Sequence, residues 1–317
     1  MSMLIHISLG GPKLTMSTAI RCVEMHTTGE PTRIVYDGYP SLKGTLLEQR
    51  ELAKQHYDHI RRKIILEPRG HHDMYGAILR PTTELVEAGE ADMGILFLTN
   101  EGYSNMCGHA TIALGRFLVD TEDLNTFPKR RGLRSRCNET YLRLHLPCGL
   151  VVVTVPTLPC GKADSSKPVS FVSVPSFASG IQVPIQVPQG RRWRTGKSID
   201  EVTVDFAFGG AFFCLVRAPS LYDSRCKHNL SGHDLKDLDE AAFTLIDLVN
   251  ESPQLRRYVT GPMQKGDELG TLAAVVVVFK DLGRMVPGTK GVETGVCLFD
   301  GHQIDRSPTG SMYSPPS

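Results

Sequence analysis

The run Met93-Gly94-Ile95-Leu96-Phe97-Leu98 and the segment from Gly108 to Val119 restrict the possible folds of this chain more than any other feature. The first reads as a strand buried on both faces, followed by a turn-rich loop over 99–106. The second is apolar almost all round, which describes a helix buried on every side. Cys107 stands where the loop enters that helix. Free backbone amides and the positive end of the helix dipole converge there, and both favour a thiolate that could act as base or nucleophile. A cysteine packed as a small hydrophobe fits the same residues, and the local sequence leaves both readings open.

A length of 317 residues suits two domains or one large one, and a hydrophobic content of 41% is ample for a core. The formal net charge is +1, and the basic clusters (Arg61-Arg62-Lys63, Lys129-Arg130-Arg131, Arg191-Arg192 with Arg194) are short and scattered. That pattern argues against a nucleic-acid partner. The cysteines, 8 in all, form no CxxC pair, and no Cys/His spacing matches a zinc site, so reduced thiols in the cytoplasm are expected. Met1 to Leu9 is apolar but lacks a basic flank and is too short to cross a bilayer, so no membrane partner is expected.

Taken in order, residues 1–18 read as a loose tail, 19–160 as an N-terminal domain and 161–317 as a C-terminal one. The boundary rests on a shift towards Pro, Gly, Ser and Lys between Thr157 and Lys167. Cys22–Met25 and Arg33–Tyr36 are short strands. Thr45 with Glu48 forms a capping box ahead of a helix running to about Arg62. Leu142, Leu144 and Leu146 alternate with polar residues and, through Pro147-Cys148-Gly149, lead into Leu150–Val155 as a hairpin. Phe171–Val174 and Val202–Phe206 are strands that bracket a Pro/Gly/Arg-rich surface loop from Gln182 to Lys197. Gly209-Gly210 within an aromatic run implies backbone lying close to something. Leu238 to Val249 is an amphipathic helix, and Ala274–Phe279 and Val296–Phe299 are core strands. The loop Glu67 to Gly76 holds adjacent His71 and His72, but no further ligand spacing supports a metal there.

Six ordered motifs resemble the proline racemase family, in its hydroxyproline dehydratase branch. They are His26-Thr27-Thr28-Gly29-Glu30-Pro31, Glu67-Pro68-Arg69-Gly70-His71 with Asp73-Met74-Tyr75-Gly76, and Asn100-Glu101-Gly102-Tyr103 with Met106-Cys107-Gly108-His109-Ala110. Val174-Pro175-Ser176-Phe177, Gly209-Gly210-Ala211-Phe212 and Asp305-Arg306-Ser307-Pro308-Thr309-Gly310 complete the set. The resemblance implies a diaminopimelate-epimerase-like α/β fold: two similar domains, each a curled mixed sheet around a central helix, with the active site in the cleft between them. It also implies a cofactor-independent enzyme, with no metal, acting on a small amino acid, and a homodimer as one assembly.

Family racemases use two cysteines on opposite faces of the substrate. This chain keeps Cys107 and has Thr309 at the second position. A threonine hydroxyl holds its proton too tightly to replace a thiol at neutral pH, so proton traffic on two faces is lost. One base and a β-hydroxyl leaving group still permit dehydration of a 3-hydroxyproline to pyrroline-2-carboxylate. Carried over by position, Cys107 is the general base and Thr309 the partner of the leaving hydroxyl. Asp305 binds the ring nitrogen, His109 contacts substrate, and the amides of Gly108, His109 and Gly310, with Ser311 beside them, hold the carboxylate. Glu30 and His26 fit a loop role equally well. Pro315-Pro316 limits any helix after Thr309 to about one turn, so the second domain reads as C-terminally truncated and its strands as short of cover. The competing expectations are a racemase or epimerase, an inactive binding protein of the same fold, and a cysteine hydrolase. The last is disfavoured because Cys107 and His109, two residues apart at a helix start, are badly placed to meet.

Overall fold

The computed structural model describes residues 19–223, 232–260, 270–272, 274–280, 282–285, 287–299, 301–306 and 309. Gly310 and Ser311 therefore lie outside the described residues, as does the tail 1–18.

Two sheets organise the chain. The first begins with β1 (Arg21–Thr27), β2 (Glu30–Asp37), the helix α1 (Leu46–Ile65) and β3 (Tyr75–Arg80). After the short α2 (Glu84–Glu87) come β4 (Met93–Leu98), β5 (Tyr103–Ser104), the helix α3 (Gly108–Asp120) and β6 to β9 (Arg134–Arg136, Glu139–Leu146, Gly149–Pro156, Ser170–Val172). Its order is β1-β2-β3-β4-β7-β8-β9, with β5 on β4 and β6 on β7. The second sheet runs β10 to β15 in chain order: Phe177–Gln186, Glu201–Phe208, Phe212–Arg217, Ala274–Lys280, Glu293–Phe299 and Gln303–Ile304. The helix α4 (Gly232–Glu251) joins its third and fourth strands.

Burial on both faces explains the apolar run of β4. Met93, Ile95 and Phe97 pack towards α3 with Ala110, Leu114 and Leu118. Leu96 and Leu98 turn the other way, to Leu46, Ala53 and Ile65 of α1. The capping box is present, with the Thr45 amide donating to Glu48 Oε2 at 2.7 Å and the Glu48 amide to Thr45 Oγ1 at 3.3 Å. In the second sheet, Val275, Val277 and Leu298 face Leu238, Ala242, Leu245 and Val249 of α4. Phe213, Ala274, Val276 and Cys297 form the opposite face. Ala274 to Val277 are buried from both sides, contrary to the expected exposure of that strand.

Two other expectations change. The composition shift at 157–167 falls inside the first sheet's span, because β9 pairs with β8 beyond it. The sheets divide between Val172 and Phe177, since the loop's polar composition follows its exposure and says nothing of where the next strand pairs. The surface loop expected from Gln182 begins as strand, with Val183 and Ile185 alternating inward. Pro184 is tolerated because β10 pairs only with β11 and is an edge strand. Further on, the Trp193 indole is buried and donates to Leu221 O at 2.6 Å.

The two halves repeat one connection. In the first, β1 pairs antiparallel with β2, α1 crosses to β3 parallel to β2, and antiparallel β4 and β5 lead to Cys107. In the second, β11 pairs antiparallel with β12, α4 crosses to β13 parallel to β12, and antiparallel β14 and β15 lead to Thr309. α4 is thus the counterpart of α1. The counterpart of α3 would begin at the masked Gly310, outside the described residues.

Candidate active site

Cys107 is the N-cap of α3, with an extended backbone that aims its side chain away from the helix axis. The loop before it is tied down on several sides. Arg61, itself buried, donates to Thr99 O at 2.8 Å and to Asn100 O at 2.5 Å, while Asp58 holds its other edge. Arg50 donates to the Asn105 side chain, and the Cys148 amide to Asn105 O at 3.2 Å. Gly210, at φ +109°, presses on the residue preceding Cys107; a Cβ there would lie 2.9 Å from Met106 Cγ. This is the close approach that the Gly pair implied.

Cys107 Sγ lies 3.5 Å from His109 Nδ1 and 3.4 Å from Nε2. The expectation that these side chains cannot meet is overturned. Because Cys107 is extended rather than helical, its side chain folds back over the first turn to the ring two residues on. The His109 ring also bonds the backbone of Pro31. Proline has no N–H, so the imidazole donates to the carbonyl and turns its bare nitrogen elsewhere. Thr27 Oγ1 donates to His109 O at 2.9 Å, and Tyr75 stands edge-on to the imidazole, centroids 4.8 Å apart.

From the second half, Asp305 and Thr309 reach the same cavity, of about 620 Å³, that Cys107, Gly108, His109 and Tyr75 line from the first. Thr309 Oγ1 donates to Asp305 Oδ2 at 2.7 Å. Cys297, on β14, bonds Thr309 and lies behind it, outside the cavity lining. The structure thus brings together Cys107, Gly108, His109, Asp305 and Thr309.

The segment carrying Asp305 is clasped by loops of the first half. Glu30, 2% exposed, accepts from Arg306 Nε at 3.2 Å, and Asp73 lies 3.9 Å from the same guanidinium. Gln303 donates to His72 O at 2.7 Å. Asn100 donates to the carbonyls of both His71 and His72. The histidine pair therefore serves through its backbone. Glu30 was half seen from sequence; Tyr75, Cys297 and Arg306 were missed, because only the motifs Asp73-Met74-Tyr75-Gly76 and Asp305-Arg306 pointed near them.

Electrostatics correct the expected thiolate. Burial pushes the Cys107 thiol well above its ordinary pKa; the Ala110 amide opposes this, and the carboxylates of Asp305 and Glu30 add to the rise. Two helix-end amides cannot offset desolvation beside two carboxylates. Burial drives His109 down to about 4 against the pull of Asp305 and the Pro31 carbonyl. At rest the pair is a neutral thiol beside a neutral imidazole. A cation placed at Asp305 would cancel the charge that holds the thiol protonated, and His109 could accept the released proton.

The comparisons agree with this geometry. A family model described as proline racemase matches residues 22–315. The trans-L-3-hydroxyproline dehydratase of Mus musculus is 39% identical over 302 residues, covering 95% of this chain and 75% of that one. The trans-3-hydroxy-L-proline dehydratase of Homo sapiens is 40% identical over 291 residues, covering 91% and 72%. Among solved structures, a hydroxyproline epimerase from Agrobacterium vitis with bound trans-4-hydroxy-L-proline superposes with a TM-score of 0.67 at 20% identity, covering 92% of this chain and 74% of that one. Motifs, repeated halves and a site at their junction converge: the chain has a diaminopimelate-epimerase-like fold and belongs to the proline racemase family.

Proposed function

We propose that this chain is a cofactor-independent trans-3-hydroxy-L-proline dehydratase, a hydro-lyase. The observation that carries the reading is the asymmetry of the cavity. Among the described residues its lining holds one thiol, Cys107, and faces it with the hydroxyl of Thr309. One acid/base suffices for elimination but not for inversion at Cα. The relatives named as dehydratases support the same choice.

In this reading the secondary ammonium of the substrate pairs with Asp305, and its carboxylate meets the free amides at the start of α3. Seating that cation removes part of what holds the Cys107 thiol protonated, with His109 taking the proton. The thiolate then removes the Cα proton, hydroxide leaves C3, and the resulting enamine tautomerises to pyrroline-2-carboxylate. Among the described residues no helix is long and apolar enough to cross a membrane. The seven described cysteines are unpaired, which supports a reducing, cytoplasmic setting.

The test is direct. Purified protein given trans-3-hydroxy-L-proline without cofactor should form pyrroline-2-carboxylate, and Cys107→Ser should lower kcat by roughly 10²- to 10⁴-fold with its melting temperature retained. Formation of D-proline from L-proline at a comparable rate, or no product from hydroxyproline, sinks the reading.

A further inference from the structure

Dehydration leaves one step without a donor: the departure of hydroxide from C3. Thr309 is poorly suited to it. Its hydroxyl has one proton, and that proton is committed to Asp305 Oδ2 at 2.7 Å. Ring stereochemistry adds a second objection. In the trans isomer the carboxylate and the hydroxyl lie on opposite faces of the ring, so the Cα hydrogen shares the hydroxyl's face. A group steadying the leaving oxygen must therefore stand on the side of the base, Cys107, which belongs to the first half. Thr309 approaches from the second. His109 stands on the correct side, but its N–H is engaged by Pro31.

Tyr75 meets both requirements. It opens β3 in the first half, lines the cavity, and stands edge-on to His109 with an interplanar angle of 86°. Cys107 is the strongest charge neighbour of its phenol, and Asp305 the next. Among the described residues nothing hydrogen-bonds the Tyr75 hydroxyl, although the ring is largely enclosed. A buried phenol donor opening on a cavity with no protein acceptor is arranged for a ligand atom.

Resting on the dehydratase reading, we infer that Tyr75 is a further catalytic residue that donates a hydrogen bond to the C3 hydroxyl as it leaves, on the ring face that Cys107 deprotonates. Burial holds the phenol well above its ordinary pKa, so it donates without giving up its proton. The step balances. The Cys107 thiolate takes the Cα proton, and the C–H electron pair becomes the Cα–C3 π bond. The C3–O pair leaves with oxygen as hydroxide held by Tyr75. The thiol, on the same face, returns its proton to give water and restore the thiolate.

The experiment is Tyr75→Phe, run in D₂O on trans-3-hydroxy-L-proline beside wild type and Cys107→Ser, with melting temperatures recorded. The expected result is a kcat lower by roughly 10- to 100-fold, KM within threefold of wild type, and deuterium accumulating at Cα of unreacted substrate. Proton removal then continues while C–O cleavage lags. A kcat within threefold of wild type overturns the inference. So does a fall in kcat without deuterium in the remaining substrate, which would place Tyr75 behind Cys107 as a positioning residue. If wild type itself forms no product, the dehydratase reading fails and the role of Tyr75 falls with it. Product from wild type with an unaffected Phe variant leaves the reading standing and removes only Tyr75.

Discussion

A sulfur 3.4 Å from an imidazole nitrogen, with both groups neutral, is a site waiting for charge. The sequence located Cys107 at a helix start but could not report its protonation, because burial beside Asp305 and Glu30 is a product of tertiary folding. The same holds for His109, whose closeness to the thiol depends on the extended backbone of one residue. The depressed imidazole has a measurable cost. The unfolded chain binds a proton at His109 near 6.5, whereas the folded chain resists until about 4, so stability at this residue is lost as pH falls through that window. The raised carboxyl of Glu30 acts with opposite sign, since the folded chain there binds its proton first. His109→Gln should therefore be less destabilised than wild type between pH 7 and pH 4, by up to about 3 kcal/mol, in urea titrations. Parallel losses in both proteins would show that another group governs the acid limb.

At the scale of elements, the sequence was most legible where a segment's pattern matched one local rule. The apolar run of β4, the Thr45/Glu48 box of α1 and the hairpin of β7 and β8 were all plain. β10 was not, because Pro184 and its polar neighbours look like loop until an edge position excuses the proline. The Gly209-Gly210 turn fell between these cases: the need for close approach could be read, but not the object approached. That object is Met106, at the entrance to α3. Gly210→Ala combines a left-handed backbone with a Cβ 2.9 Å from Met106 Cγ. It should cost roughly 1–3 kcal/mol in unfolding and lower kcat more than KM rises, because the displaced residue adjoins Cys107. A variant with unchanged kcat and lowered stability would separate the turn from the site.

Across the whole molecule, the ion pair of Glu30 with Arg306 joins the halves beside Asp305. Arg306 is half exposed and Glu30 buried, so losing the arginine strands a carboxylate that losing the glutamate would not. Arg306→Ala is expected to cost roughly 1–3 kcal/mol, Glu30→Gln less, and the double variant less than the two added together. A cycle of urea unfolding measurements reads the coupling, and strict additivity would show that the clasp holds nothing. The sequence held both partners in separate motifs, but 276 positions apart, a distance no local rule spans.

The repeated connection of strands, from β1 to Cys107 and from β11 to Thr309, carries a historical consequence. Such a repeat is what remains when two copies of a half-length chain become joined. Before joining, the site would have stood on the twofold axis of a homodimer, where one codon specifies both facing residues and they must be the same. Joining freed the two positions to mutate separately. A cysteine opposite a threonine is an arrangement that a symmetric ancestor had no means to encode.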